Sequence, residues 1–533
     1  MKIEFVGGAR TVTGSSYIVK NDEFAVMVDC GMFQGRRDLK ERNFLKLIYA
    51  PEKIDALVLT HAHIDHSGLI PKLVKDGFKS PIYATEATTE LCSIMLPDSA
   101  HIQEMDAEWI NRKQKKLGRD PVDPLYTAED AQKALERFRP VKYGDMVRVH
   151  PSVSVRFRDA GHILGSAFVE MWVKDKGKTI KIVFSGDVGT RDQAIIRDPE
   201  TADEADILLI ESTYGDRLHK SKKDTYEEFK QIINTAHNRN GNIVIPSFAI
   251  ERTQEIIYTL GRLFKAGEIP RMPVYIDSPL AISATEIFRH NQQMFDDETM
   301  RIILSGETPL DFPNLHFTRT IEESKRLNKE AKGAIIISAS GMCTAGRIKY
   351  HLQNNLYRPE SSVIFVGFQA EGTLGRKLVD GEKRVRIYGE DVAVKAEVHT
   401  LGGFSAHADR DGLLDWMGSI KNENLKVFVV HGEEKASLSF ADAVRDRYGY
   451  ETRVPMWGET IDPRSMEGET VTPGGEPTET LNGEVDALRK AMDRLVEKLG
   501  EARKGSRVYQ AKRLEQDLAD LTEMVRSLAD DIG

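Results

Sequence analysis

The segment His61-Ala-His63-Ile-Asp65-His66 constrains this chain more than any other part of it. It follows an apolar run at 56–60 that reads as a short buried strand, so its side chains leave from the loop at a strand's C-terminal end. His61 and His63 can approach one metal ion from a short extended stretch, while Asp65 and His66 turn toward a neighbouring position. Imidazole suits zinc, and a carboxylate lets a second ion bind alongside. The fold must then bring further ligands to that strand end. The candidates are residues that close an apolar strand beside a glycine: His162 in Asp159-Ala-Gly-His-Ile-Leu-Gly-Ser, Asp187 in Phe184-Ser-Gly-Asp-Val-Gly, and His431 in Val429-Val-His-Gly-Glu. Strand-end residues of this kind line a common crevice in α/β folds. His101, His150, His219, His237, His290, His316, His351 and His399 lack that setting and read as core, surface or helix residues.

The rest of the pattern is a mixed α/β architecture. Residues 2–6, 17–20, 25–29, 56–60, 152–158, 167–173, 179–184 and 207–210 read as strands. Thr127 is placed to cap a helix carrying Ala131, Leu135 and Phe138. From about Thr213 short apolar strands at 242–246, 274–276, 334–337 and 363–366 alternate with amphipathic helices at 226–239 and 253–266, the signature of a buried parallel sheet. A further strand is expected at 427–430.

A chain of 533 residues holds two or three domains. The net charge of -9, with no basic tail, gives no global attraction for nucleic acid, so any such affinity has to come from the site itself. Cys30, Cys92 and Cys343 are too few and too scattered for a disulfide framework or a thiolate site, which suits a reducing cytoplasm. The N-terminus lacks a signal peptide's apolar core, and no apolar run is long enough to cross a bilayer. Residues 463–480, rich in Pro, Gly, Glu and Thr, read as a linker. Beyond it Leu, Val and Met recur at three and four in two seams, predicting either a helical hairpin packed on its own body or a coiled coil that makes a homo-oligomer, in the simplest case a dimer.

Taken in order, these motifs resemble the metallo-β-lactamase superfamily. The middle of the chain resembles its β-CASP insert, the module of nucleic-acid-processing members. The matching segments are Glu211-Ser-Thr-Tyr-Gly, the run from Ile245 to Gln254, Asp277-Ser-Pro-Leu-Ala, Ser338-Ala-Ser340-Gly-Met, Gly367-Phe-Gln-Ala-Glu-Gly-Thr-Leu-Gly-Arg376 and Gly403-Phe-Ser-Ala-His407-Ala-Asp. The pattern is similar to the nuclease subunit of the cleavage and polyadenylation specificity factor and its prokaryotic homologues. The resemblance implies an αββα sandwich at 1–210, completed by 395–462, with a β-CASP insert at 211–394, the linker at 463–480 and a helical extension at 481–533.

The resemblance also implies a site. His61, His63 and His162 would hold one zinc, Asp65, His66 and His431 a second, and Asp187 would bridge them. Asp29 would orient neighbouring ligands, and His407 would be the general acid with Glu211 behind it. A histidine at the position of His431 is typical of RNA-acting members, which favours RNA over DNA repair, and Thr60-His-Ala-His-Ile-Asp-His-Ser-Gly resembles the endonuclease branch. The Gly-rich segments around Ser338, Ser340, Arg347, Arg376 and Lys377 would meet substrate phosphates. A 5′–3′ exoribonuclease of the same family, a small-molecule hydrolase on the same superfold and a non-catalytic scaffold are the competing readings. The small-molecule hydrolase has no reason to carry the insert or His407, and scaffold members lose ligands that this chain retains.

Overall fold

A computed structural model describes residues 1–470. The C-terminal seams lie outside the described residues, and Met1–Val471 forms one compact unit. Two sheets face each other. The first has eight strands in the spatial order Glu467–Thr470, Glu459–Asp462, Lys2–Gly7, Ser16–Lys20, Ala25–Val28, Ala56–Val58, Ile82–Thr85 and Phe138–Val141. The second has seven, in the order Glu451–Arg453, Lys426–Val430, Ile207–Glu211, Lys178–Phe184, Ala167–Asp175, Val153–Asp159 and Met146–His150.

The strands are apolar on both faces because each face has its own core. Ile207, Leu209, Phe428 and Val430 point into the layer between the sheets, with Phe5, Val26, Val58, Phe157 and Ile182. Their chain neighbours Leu208, Ile210, Val427 and Val429 point outward, against Leu413 and Trp416 of the helix Arg410–Met417 and Phe440 and Val444 of the helix Glu434–Tyr448. This is the period of two expected of a pleated strand. The outer face of the first sheet is covered by Ile70–Lys75, Glu86–Lys116 and Ala128–Leu135. Helices thus flank a two-sheet core, the αββα class expected. Each fully buried side chain of this size contributes ~1.5–3 kcal/mol.

The chain leaves the second sheet at Glu211 and returns at Lys426. Between these points it builds a six-stranded parallel sheet in the order Leu315–Phe317, Val274–Ile276, Ile335–Ser338, Ile243–Pro246, Ser362–Phe365 and Glu397–Thr400. The exit and return strands pair in parallel, with Glu211 opposite Val430. That register alone puts Glu211 and His431 side by side across more than two hundred residues of insert.

Several local expectations need correction. Phe138 does not extend the helix capped by Thr127; that helix ends at Leu135 and Phe138 opens an edge strand. The capping itself is present, as a reciprocal box between Thr127 and Asp130. The helix Glu86–Lys116 was not among the expected elements; it contains an internal Pro97, and most of its buried residues lie in its first half. Residues 397–400, expected in the completing segment, are hydrogen-bonded into the insert's sheet. The expected linker at 463–480 opens instead with a turn and the strand Glu467–Thr470, which pairs back on Glu459–Asp462. Among the described residues no helix is long and apolar enough to cross a membrane.

Candidate metal centre

The strands Ala25–Val28 and Ala56–Val58 run parallel, as do Lys178–Phe184, Ile207–Glu211 and Lys426–Val430. The C-terminal ends of these strands share one edge of the sandwich, and the candidate side chains leave from there. Sharp turns follow several strands: Asp29, Gly161, Gly186 and His431 all have positive φ, at 59°, 61°, 54° and 46°. At Gly186 any Cβ would come within 2.9 Å of the Thr60 Cβ, so only glycine lets the Asp187 loop lie against the His61 strand. Asp29 and His431 adopt the left-handed region as non-glycine residues, a strain of about 1–3 kcal/mol each that is typical of functional sites.

Seven side chains converge. His61 Nε2 lies 3.2 Å from His63 Nδ1, and His162 Nε2 lies 3.3 Å from the same atom. Asp187 Oδ2 lies 3.4 Å from His61 Nε2 and 3.5 Å from His162 Nε2. The other Asp187 oxygen, Oδ1, lies 3.3 Å from His66 Nε2, which is 3.2 Å from His431 Nε2; Asp65 Oδ2 is 3.6 Å from that nitrogen. Asp187 therefore divides its two oxygens between two groups of ligand atoms.

These spacings fit a metal rather than a hydrogen-bonded network. A tetrahedral zinc with Zn–N bonds of about 2.0–2.1 Å has ligand–ligand edges of roughly 3.3 Å. Asp187 Oδ1 is buried and has no hydrogen-bond donor, an arrangement that costs free energy unless a cation takes the place of the donor. Ligand imidazoles must also be neutral. Burial, aided by His66, pushes His61 down to about 3; burial likewise pushes His63 down to about 4 and His162 well below its ordinary value. His66 behaves oppositely: burial would lower it, but Asp187 and Asp29 raise it well above the ordinary histidine value. Burial would raise the Asp187 carboxyl, and the imidazoles of His431, His66 and His61 hold it well below the usual carboxylate range. The cluster has the composition and spacing of a metal-binding site.

Around it lies a layer that sets tautomers. Asp29 Oδ2 accepts from His66 Nδ1 at 2.7 Å and from Thr60 Oγ1 at 2.9 Å, and Thr60 Oγ1 in turn accepts from His61 Nδ1 at 3.1 Å. One carboxylate thus turns the Nε2 lone pairs of two histidines toward the centre. Thr213 Oγ1 does the same for His431, at 3.1 Å from Nδ1. Thr60 and Thr213 were not singled out in the sequence, because a hydroxyl beside a histidine has no spacing signature.

His407 stands at the mouth. Its Nδ1 is 3.2 Å from both oxygens of Glu211, which is fully buried and also accepts the Val188 amide at 2.7 Å. Burial would lower His407, but Glu211 and Asp187 raise it to about 9. Its side chain is 19% exposed, and among the described residues its Nε2 bonds no protein atom.

The proposed phosphate-binding residues divide. Phe248 packs against Gly341 and Gly367 and has its ring 6.1 Å from that of His63, so both Gly-rich loops lie beside the centre. Arg347, however, is engaged within the fold: its guanidinium donates to Asp277 at 2.6 Å and to the Thr318 and Arg319 carbonyls. The Ser338 hydroxyl donates to the Asp277 carbonyl, and Ser340 Oγ accepts the Thr344 amide. Arg376 pairs with Asp380 at 2.9 Å. Lys377 is exposed and forms no ion pair among the described residues.

Comparison with known proteins agrees with this architecture. Residues 9–148 match the metallo-beta-lactamase superfamily, 253–378 the Beta-Casp domain, and 391–455 the Zn-dependent metallo-hydrolase RNA specificity domain. Ribonuclease TTHA0252 of Thermus thermophilus is 37% identical over 461 residues, covering 86% of this chain and all of that protein. The chain belongs to the β-CASP family of the metallo-β-lactamase superfamily. This β-CASP protein is also similar to the transcription termination factor FttA of Methanocaldococcus jannaschii, at 28% identity over 86% of this chain and 70% of that one. A second such factor, from Thermococcus kodakarensis, is 29% identical over 85% of this chain and 70% of its own length. The RNA-specificity match takes in both His407 and His431 of this β-CASP chain.

Proposed function

We propose that this β-CASP protein is a ribonuclease that hydrolyses RNA phosphodiester bonds internally, at a centre of two zinc ions. The observation that carries this reading is the division of Asp187, with Oδ2 toward His61 and His162 and Oδ1 toward His66. His61, His63 and His162 would hold one ion and Asp65, His66 and His431 the other, with Asp187 shared. When bound, such a pair supplies Lewis-acid activation of water and neutralises the charge of a phosphodiester, which the protein's overall negative charge would otherwise repel.

The remaining work falls to the chain's own residues. Asp29 and Thr60 hold His61 and His66 in the ligating tautomers. Glu211 accepts from His407 Nδ1 and keeps that ring protonated, which leaves Nε2–H to deliver a proton to the departing ribose oxygen. An alkoxide leaves poorly, so this proton is needed where the P–O bond breaks. Phe248 and Phe368 present half-buried rings beside the centre, surfaces on which unpaired bases can stack. The three buried free cysteines suit a reducing cytoplasm, and the C-terminal seams suit a homo-oligomer. The test is elemental analysis of protein purified without chelator, together with cleavage of a circular RNA, an end-labelled linear RNA and matched DNA. Two zincs per chain and cutting of the circle are expected. An intact circle beside a shortened linear RNA means an exonuclease, and DNA cleaved as readily as RNA refutes the RNA assignment.

A further inference from the structure

Glu251 is buried, lies in the insert and takes no part in the chemistry described above. Its backbone has φ 67° and ψ -61°, and the Arg252 amide donates back to the Ile250 carbonyl at 2.9 Å. This is a γ-turn of the rarer, positive-φ hand, strained for any residue with a Cβ. Glycine would fit more easily, so the side chain must have a use.

Its carboxylate reaches across to the metallo-β-lactamase part. Oε2 accepts the Leu164 amide at 3.2 Å, and Oε1 accepts from Gln193 Nε2 at 3.4 Å. Leu164 belongs to the loop that carries His162. Most of this loop is held by its own domain: Ser166 Oγ accepts the His162 and Ile163 amides, the Thr85 and Thr88 hydroxyls donate to the Gly165 carbonyl, and the Gly189 amide donates to the Ala160 carbonyl. Among the described residues, the bond to Leu164 is the one that reaches this loop from the insert.

We propose that Glu251 is a positioning residue through which the insert braces the His162 loop, so that the insert which receives RNA also sets the geometry of one of the two metal sites. This rests on the metal-centre reading above. The strained turn aims the carboxylate, and the carboxylate fixes the loop's central amide, two residues from the ligand. Without it a buried N–H loses its acceptor and the His162 ring loses part of its alignment.

The test compares metal retention in wild type, Glu251→Gln and Glu251→Gly, by zinc content after dialysis against graded chelator, with thermal melting of the metal-free proteins as a control. Glu251→Gly relaxes the backbone while removing the carboxylate. One of the two ions should then be held ~10- to 100-fold more weakly, the usual effect of losing a group that orients a ligand, with the metal-free melting temperature close to wild type, since relief of the strained turn offsets the lost acceptor. Glu251→Gln should restore retention: its carbonyl accepts the Leu164 amide, and its NH2 can meet Gln193 Oε1, which has no partner, once the Gln193 amide turns over. A Glu251→Gly protein that keeps both ions as wild type does, or loses both together, overturns the proposal, as does a Glu251→Gln protein that stays weak. A wild-type protein that takes up no metal at all would sink the metal-centre reading and this proposal with it.

Discussion

Asp29 orders two imidazoles at once, one directly and one through Thr60. Replacing it with alanine leaves every proposed ligand in place but frees the rings to rotate, so metal should be held about 10- to 100-fold more weakly; chelator competition measures this, and unchanged retention would show that packing alone aligns the histidines. His407 gives the opposite separation. Its ring contacts Glu211 and is not needed to fill either ligand group, so His407→Ala should keep full zinc content yet lose cleavage by roughly 10²-fold or more. If zinc is lost with the ring, His407 is a ligand and not the acid. His162, Asp187 and His431 were legible because each follows an apolar strand beside a glycine, and Asp29 and His407 because their segments resemble the family's. The hydroxyls that orient them were not, since Thr60 and Thr213 look like any strand-end threonine.

At the scale of elements, the two-faced strands carry the fold. Phe157 is fully buried in the layer between the sheets, remote in sequence from every motif. Phe157→Ala should cost about 3–5 kcal/mol by removing apolar contact and leaving a cavity, read as a lower denaturation midpoint with an unchanged denaturant slope. A change below about 1 kcal/mol would mean that the sheets close over the gap, since the cost depends on how far the site can collapse. Apolar runs told where these strands lie, but not that Phe138 would leave its helix or that 397–400 would join the insert's sheet. Such choices depend on which edge is open when the chain arrives, and a run of side chains does not record that.

For the whole molecule, a metal bound at the proposed site would tie the metallo-β-lactamase strands from Asp29 to His431 into one structure. Stripping the metal should lower the melting temperature, with recovery on adding zinc that depends on zinc concentration, as for any ligand bound only by the folded state. A melting temperature indifferent to zinc would count against a site assembled by folding. All proposed site residues lie within Met1–Val471. A chain ended there should therefore keep zinc content and RNA cleavage while the number of chains per particle in light scattering falls; loss of zinc would show that the C-terminal segment supports the catalytic unit, and an unchanged number of chains that its seams do not drive self-association.

By itself the sequence determined the kind of site and its chain order: histidines and aspartates, each after an apolar strand, with an α/β insert between Glu211 and His431. Those features are local, written in residue type, in alternation and in the glycines that follow strand ends. Tertiary structure alone decided which atoms meet. Glu211 and His431 lie side by side because two parallel strands share a register, and His66 comes within 3.2 Å of His431 because the strand ends of the two facing sheets meet at one edge. The guanidinium of Arg347 is turned inward because Asp277 is buried beside it, and Glu251 reaches the His162 loop because a strained turn aims it there. Contacts of this range depend on the packing of elements far apart in the chain, and no short stretch of sequence carries the information that sets them.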